Sequence, residues 1–179
     1  GQGYVLATPM QLAVMTAVLA NDGYKIKPTL VVPENRNPSE CQGEYLNIPK
    51  NHLQLMREGM FDVVNNPKGT AKTARLNVDG KTIAGKTGTT QVKRISMKER
   101  EQGLRRQDEI PWAERNHALF VSFGPTDKPR YALAVVVEHG GGGSTSAAPI
   151  ARTIMDAALR LDPAARRPVN PKNALTGGL

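Results

Sequence analysis

Apolar residues recur along the chain in blocks whose spacing predicts three helices and three strands. The first helix is predicted from Pro9 onward, since Thr8 and Gln11 have the spacing of a capping box and proline suits a first helical turn. The segment from Leu12 to Leu19 is apolar nearly all round, which predicts a buried helix. Gly23 supplies a left-handed residue to end it.

Two more helices are predicted from apolar residues at helical spacing. One runs from Lys50 to Asn65, and a short turn follows between Ala71 and Leu76. The apolar positions of this helix are Leu53, Met56, Met60, Val63 and Val64. The other runs from Ala148 to Leu161. Its predicted apolar face consists of Ile150, Ile154, Met155, Ala158 and Leu161.

The β-branched and aromatic blocks predict strands at Thr82 to Val92, Ala118 to Gly124 and Tyr131 to Glu138. The last two flank a turn at residues 125–130, so they form an antiparallel hairpin. The predicted fold class is therefore α/β (α+β), an antiparallel sheet covered by helices. A single domain is predicted over residues 1–161.

Polar segments predict loops between these elements. An extended segment at residues 24–32 precedes a surface loop at 33–49, and residues 93–117 form a charged, solvated insertion. Residues 162–179, which are rich in Pro, Ala, Asn and Gly, are predicted to be a disordered tail. The chain opens Gly1-Gln2-Gly3 without an initiator methionine, so we expect it to be the C-terminal piece of a longer protein.

Composition excludes some classes of function. The net charge of +8 comes without a recognition motif and with few aromatic residues, so we expect no nucleic-acid partner. Cys41 is the only cysteine, and His52, His117 and His139 are far apart in sequence. We therefore predict no disulfide, no metal and no cofactor. No apolar run approaches the ~20 residues of a membrane span.

The run Ile83 to Val92, with the sequence IAGKTGTTQV, is the strongest candidate for chemistry. It presents the ammonium of Lys86 and several hydroxyls on one strand, and glycine lets a substrate backbone approach closely. These groups suit the binding of a substrate carboxylate beside a reacting carbonyl. The sequence assigns the candidate site to Lys86, Thr87, Gly88, Thr89 and Thr90.

A second glycine-rich stretch, Gly140 to Gly143, has two interpretations. It is either an anion cradle at a helix N-terminus or a flexible connection from strand to helix near the cleft. A phosphate loop needs Lys-Ser/Thr after the glycines, and Ser144-Thr145 follows without lysine, so the connection is favoured. Glu138 and His139 are neighbours on a predicted strand, where side chains alternate between faces, and they receive no catalytic role.

Long linked blocks make the chain resemble a known family. These blocks are GQGYVLATPMQLAVMTAVLANDGY, GTAKTARL, AGKTGTTQV and the segment from HALFVSFG to MDAAL. They resemble the penicillin-binding protein 2 family, the class B D,D-transpeptidases of cell elongation in Gram-negative bacteria, over residues 1–161. The resemblance implies part of a penicillin-binding or β-lactamase-like transpeptidase domain.

The resemblance also implies roles for individual residues. A serine would attack the D-Ala-D-Ala carbonyl of a peptidoglycan stem peptide, and the acyl group would pass to an amine. Lys86 would act electrostatically at the catalytic site, and the hydroxyls of Thr87 and Thr89 would bind the carboxylate of the peptide or of a β-lactam. The N–H of Thr89 would be one oxyanion-hole donor. A RodA-type membrane glycosyltransferase partner and the periplasmic face of the inner membrane are implied in the same way.

The chain departs from this family pattern because two of the family's motifs are missing from it. It contains no Ser-x-x-Lys and no Ser-x-Asn, and Thr90-Gln91-Val92-Lys93 lies inside the Lys-Thr-Gly strand and cannot be the nucleophile. Both elements are expected upstream of Gly1, so the isolated chain should be inactive. A β-lactamase or β-lactam sensor fragment, or a non-catalytic scaffold module, remains as an alternative.

Overall fold

A computed structural model of the chain describes residues 5–31, 43–78, 80–93, 95–97, 101, 103 and 105–162. The helices are α1 (Pro9–Ala20), α2 (Lys50–Asn65) and α3 (Ala148–Arg160). The strands are β1 (Tyr24–Lys25), β2 (Glu44–Tyr45), β3 (Ala84–Thr90), β4 (His117–Gly124) and β5 (Tyr131–Val137). Short helical turns cover Lys72–Ala74, Gln107–Glu109, Trp112–Glu114 and Gly143–Ala147.

The main sheet has the order β3-β4-β5, and both pairings are antiparallel. Within the described part of the chain, β3 is therefore an edge strand. Lys86 pairs with Val121 and Thr90 pairs with His117, so the register is fixed along the whole of β3. The predicted hairpin is confirmed as β4 and β5. The antiparallel sheet with helices around it also confirms the predicted fold class.

The two faces of the sheet are covered by different helices. Alternate residues of β4 point to opposite faces. One face packs against α3 and the end of α2 in a cluster that includes Val64, Ile83, Phe120, Val135, Ala151 and Met155. The other face packs near α1 through Ala20, Met60, Ala84 and Phe123. The sheet is thus held between helices, and β3 keeps one side open.

Helix α1 begins as predicted but is less buried than predicted. Thr8 accepts a hydrogen bond from the N–H of Gln11, and the Gln11 side chain accepts one from the N–H of Thr8, so the capping box is confirmed. The prediction of a buried helix is wrong, because Met10 and Met15 are about half exposed. When a helix is apolar on all sides, its sequence alone does not show which of its faces will be covered by other elements.

Helix α3 has the predicted bounds to within one residue, but the face that it buries differs from the predicted apolar face. Its buried residues are Ala148, Ala151, Met155 and Leu159. Ile150, Ile154 and Leu161 from the predicted face are exposed. Both sets have helical spacing. The alanines allow the helix axis to come close to the sheet, whereas branched side chains would hold it away, which explains why they face inward.

Three predictions about the connecting segments change. Residues 44 and 45, which were predicted as loop, form β2 and pair with β1. Asp162 was predicted to begin a disordered tail, but its side chain is buried and lies 2.6 Å from Nε of Arg130. Glu138 and His139 lie in the turn after β5, and not on a strand. Cys41, the rest of the loop at 32–42 and the tail at 163–179 lie outside the described residues.

Candidate active site

Strand β3 carries all five residues of the predicted site, and none of the five is fully buried. Its first two residues, Ala84 and Gly85, are buried, Lys86 is exposed, and Thr87 to Thr90 are half-buried. Thr87 and Thr89 share the sheet face of Phe120 and Ala118, their partners in β4. Lys86 shares the opposite face with Val121. The two hydroxyls that were predicted to bind one carboxylate therefore lie on the same face.

The outer edge of β3 presents backbone polar groups. Nζ of Lys86 donates to the carbonyl oxygen of Thr87 at 3.0 Å and lies 3.4 Å from its Oγ1. Nδ2 of Asn65 donates to the carbonyl oxygen of Ile83 at 2.9 Å. Because N–H and C=O of one strand residue point to the same side and alternate along the strand, Ile83, Gly85, Thr87 and Thr89 direct theirs away from β4. The N–H of Thr89 thus faces the open edge.

Two glycines permit close contacts around this strand. A side chain at Gly85 would collide with the ring of Phe120 on the paired strand. Gly143, in the turn before α3, lies against the backbone of β3 and β4, and a Cβ there would come within 2.7 Å of the Gly88 carbonyl oxygen. The glycine-rich segment is therefore a connection that packs beside the Lys-Thr-Gly strand, which agrees with the favoured interpretation.

A cluster of three rings at the far end of β3 was not predicted. His117, the β4 partner of Thr90, packs edge-on against His139 with ring centroids 4.8 Å apart. The ring of Trp112 also contacts His139, in a tilted arrangement with ring centroids 4.4 Å apart. These residues are scattered in the sequence, and only the antiparallel hairpin brings His117 and His139 together. The solitary tryptophan after Ile110-Pro111, in an otherwise charged segment, was the one available signal.

Hydrogen bonds fix this cluster. The N–H of His139 donates to Nδ1 of His117 at 2.9 Å, and Nδ1 of His139 lies 3.1 Å from the carbonyl oxygen of Arg115. His139 has a φ of +53°, a left-handed conformation that is uncommon outside glycine and that asparagine, aspartate and histidine adopt more often than other residues. The N–H of Gly141 donates to the carbonyl oxygen of Asn116 at 2.8 Å. The turn after β5 and the segment before β4 are thus joined at several points.

Part of the charged insertion is also tied to the sheet. Lys93, just beyond β3, forms an ion pair with Glu114 at 2.9 Å. The Arg106 side chain hydrogen-bonds to Asp108 and lowers the pKa of that exposed carboxyl group.

Among the described residues, no group of three or more His, Cys, Asp or Glu side chains could hold a metal ion. In that same part of the chain, no helix has the length and apolar character needed to cross a membrane.

A large apolar groove lies elsewhere in the described part of the chain. It has a volume of about 1140 Å³ and is lined by one side of α1 together with residues around β1 and β2, including Val14, Met15, Ile26 and Leu46. None of its lining residues belongs to β3. The candidate site is therefore the open edge of β3, where the polar groups are, and not this groove.

An edge strand with one lysine, two hydroxyls on one face and an outward amide is an arrangement suited to acyl transfer from a carboxylated substrate. Comparison with known proteins assigns the class. Residues 1–156 match the model of the penicillin binding protein transpeptidase domain. Because this match covers most of the chain, the chain belongs to the penicillin-binding protein transpeptidase domain family.

Individual relatives show which members of this domain family the chain is similar to. The peptidoglycan D,D-transpeptidase MrdA of Acinetobacter baumannii is 37% identical over 189 residues, which cover 100% of this chain and 26% of the relative. A structure of Pseudomonas aeruginosa PBP2 in complex with WCK 5153 has 37% identity and a TM-score of 0.64, covering 91% of this chain and 32% of that one.

A third similar protein is the penicillin-binding protein PBP2 of Helicobacter pylori in its complex with MreC. It has a TM-score of 0.72 and 32% identity, and the match covers 90% of this chain and 26% of that one. The chain thus spans about a quarter to a third of the length of these relatives. The resemblance to the penicillin-binding protein 2 family is confirmed.

Proposed function

We propose that this chain is part of a peptidoglycan D,D-transpeptidase that crosslinks stem peptides through a serine acyl-enzyme and binds penicillin. The observation that supports it most is the open edge of β3, where Lys86 is exposed and Thr87 and Thr89 share one face. The chain has no Ser-x-x-Lys, so its contribution is the substrate-binding wall. The attacking serine then belongs to another part of the protein.

Each residue of the wall has a distinct role in this proposal. The hydroxyls of Thr87 and Thr89 bind the terminal carboxylate of the stem peptide or the equivalent carboxylate of a β-lactam. The Thr89 N–H, which we infer faces the open edge, donates to the carbonyl oxygen as negative charge develops on it. Gly88 and Thr90 provide backbone against which the peptide lies. The ammonium of Lys86 contributes positive charge and supports proton transfer at the leaving group.

A β-lactamase or a β-lactam sensor would use the same serine acyl-enzyme chemistry. A non-catalytic scaffold module would have the same fold without this chemistry. The relatives named as peptidoglycan D,D-transpeptidases favour the first proposal. Its partners are then the stem peptide, β-lactams and a RodA-type membrane glycosyltransferase, at the periplasmic face of the bacterial inner membrane. The isolated chain, lacking the nucleophile, should form no adduct with penicillin.

The test is acylation of the intact protein by a fluorescent penicillin. We expect a stable adduct in the wild type and an acylation rate about 10²-fold lower in Lys86→Ala, comparable to the loss of one electrostatic contact to the developing charge. Lys128→Ala is the matched control, because Lys128 is an exposed lysine in the turn between β4 and β5.

Two results would contradict the proposal. Rapid turnover of penicillin instead of trapping would assign a β-lactamase, and an acylation rate unchanged in Lys86→Ala would remove Lys86 from the mechanism. The melting temperature of both variants should match that of the wild type, so that a lower rate is not a consequence of unfolding.

A further inference from the structure

The direction in which a bound peptide leaves the site can be derived from what covers β3. At the start of the strand, Ile83, Ala84 and Gly85 are buried, and Asn65 of α2 occupies the outer edge by bonding the Ile83 carbonyl. A peptide whose carboxylate lies at Thr87 and Thr89 cannot extend toward that covered end. It must extend toward Thr90, where the strand remains accessible. A substrate that pairs with this edge therefore runs antiparallel to β3.

The ring cluster lies at the end of the strand toward which the peptide extends. Thr90 is four residues beyond Lys86, about 13 Å along an extended strand, which matches the reach of a few peptide residues. His117 is the direct partner of Thr90 in β4, its ring contacts that of His139 in the turn after β5, and the ring of His139 contacts that of Trp112. The cluster thus lies at the end of the sheet toward which the peptide extends, and the ion pair between Lys93 and Glu114 joins the turn that carries Trp112 to the end of β3.

Trp112 has the properties of a binding residue and not of a core residue. It is the only tryptophan in the chain, and it is 62% exposed. Its indole ring contacts the ring of His139 at a tilt of 53°, and the position of His139 is fixed by hydrogen bonds to His117 and Arg115. An exposed aromatic ring held in place loses little conformational entropy on binding, and such residues dominate many binding surfaces.

We propose that Trp112 is a substrate-contacting residue that binds the part of the stem peptide N-terminal to the scissile bond, and that His139 and His117 position it. The indole face packs against the aliphatic side chain and amide planes of those residues. This contact selects for an extended peptide over a small β-lactam that has no such residues. The inference rests on the proposed function, because it requires the carboxylate to bind at Thr87 and Thr89.

The experiment compares two acylating substrates on the intact protein. One is a pentapeptide that ends in D-Ala-D-Ala, and the other is a penicillin with a small side chain. We expect Trp112→Ala to lower the ratio of kcat/KM for the peptide to the acylation rate for the penicillin by about ten-fold, mainly through KM, as for loss of an aromatic contact residue. Trp112→Phe should retain most of the ratio.

A second variant separates contact from positioning. His139→Asn preserves the positive φ, which asparagine tolerates, but removes the ring that contacts Trp112. The same ratio should fall, by less than in Trp112→Ala. Leu55→Ala is the control, since Leu55 is an exposed apolar residue on α2 that is 68% accessible, and its ratio should equal that of the wild type.

The outcomes distinguish the inference from the function on which it rests. If the wild type is acylated by both substrates and the ratio is unchanged in Trp112→Ala, the role of Trp112 is refuted and the transpeptidase proposal stands. If the wild type is acylated by neither substrate, the transpeptidase proposal fails and the inference with it. An equal fall for both substrates would show a general disturbance of the site and would also overturn the inference.

Discussion

At the scale of single residues, the glycines of this chain differ in whether the surrounding structure leaves room for a side chain. Gly85 precedes Lys86 on β3, and a Cβ there would enter the ring of Phe120, a buried residue of the main cluster. Gly59 lies on the exposed side of α2, and a Cβ there would meet nothing within 4 Å. The first glycine is therefore required by packing, whereas the second only adds flexibility to a helix.

The two glycines make a matched pair for a stability measurement. We expect Gly85→Ala to lower the free energy of unfolding by about 1–3 kcal/mol, because the extra carbon overpacks the sheet face against Phe120. Gly59→Ala should raise it by roughly 0.5–1 kcal/mol, since alanine is the better helix former. Urea unfolding of both variants checks this, and a stable Gly85→Ala would show that Phe120 can move aside.

At the scale of elements, the end of α3 is joined to the start of β5. Arg130, just before β5, contacts both carboxylate oxygens of Asp162, at 2.6 Å and 3.1 Å. The Asp162 side chain is 5% exposed and that of Arg130 is 48% exposed. Two parallel contacts to a buried carboxylate fix the relative position of the two elements more firmly than a surface pair does.

We expect Asp162→Asn to lower the free energy of unfolding by about 1–3 kcal/mol, since an amide removes the charge and turns a donor toward the guanidinium. The control is Asp108→Asn, because the pair between Asp108 and Arg106 is exposed on both sides and its loss should be undetectable. Equal unfolding midpoints for the two variants, measured by thermal or urea denaturation, would mean that the buried pair contributes no stability.

At the scale of the whole molecule, apolar surface remains uncovered around α1. Met10 and Met15 are about half exposed, and the groove of about 1140 Å³ between α1 and the β1–β2 pair is lined mainly by apolar side chains. Exposed apolar patches of this kind bind other apolar groups or promote association. We therefore expect this surface to promote association of the isolated chain.

We expect the purified chain to bind the dye ANS at this groove. The double variant Met15→Glu/Leu46→Glu places two charges in the lining and should lower dye fluorescence by about two-fold or more. Leu55→Glu, an equivalent change on the exposed side of α2 outside the groove, should lower it little. If both variants lose the same fluorescence, the dye binds generally and not at the groove. Circular dichroism confirms that the helices persist.

Local patterns were sufficient for the three helices and for the strands of the main sheet, but not for the short pair of β1 and β2. The capping box at Thr8, the bounds of α2 and the hairpin of β4 and β5 depend on interactions between residues close in sequence, and all were confirmed. The Lys-Thr-Gly strand was recognisable for the same reason. The roles of Lys86 and Thr89 in catalysis stay predictions.

The buried face of α3, the exposure of α1 and the ring cluster could not be derived from the sequence. Two sets of positions on α3 have equal periodicity, and only the approach of the sheet selects the alanines over Ile150 and Ile154. His117 and His139 are 22 residues apart and meet because the hairpin returns the chain to the same end of the sheet.

The sequence by itself determined where the three helices and the three strands of the main sheet form and which strand carries the candidate chemistry, because these follow from neighbouring side chains. The tertiary structure alone decided which faces are covered and toward which end of β3 the edge remains open. Those properties depend on contacts between elements that are distant in sequence, and no local pattern encodes them.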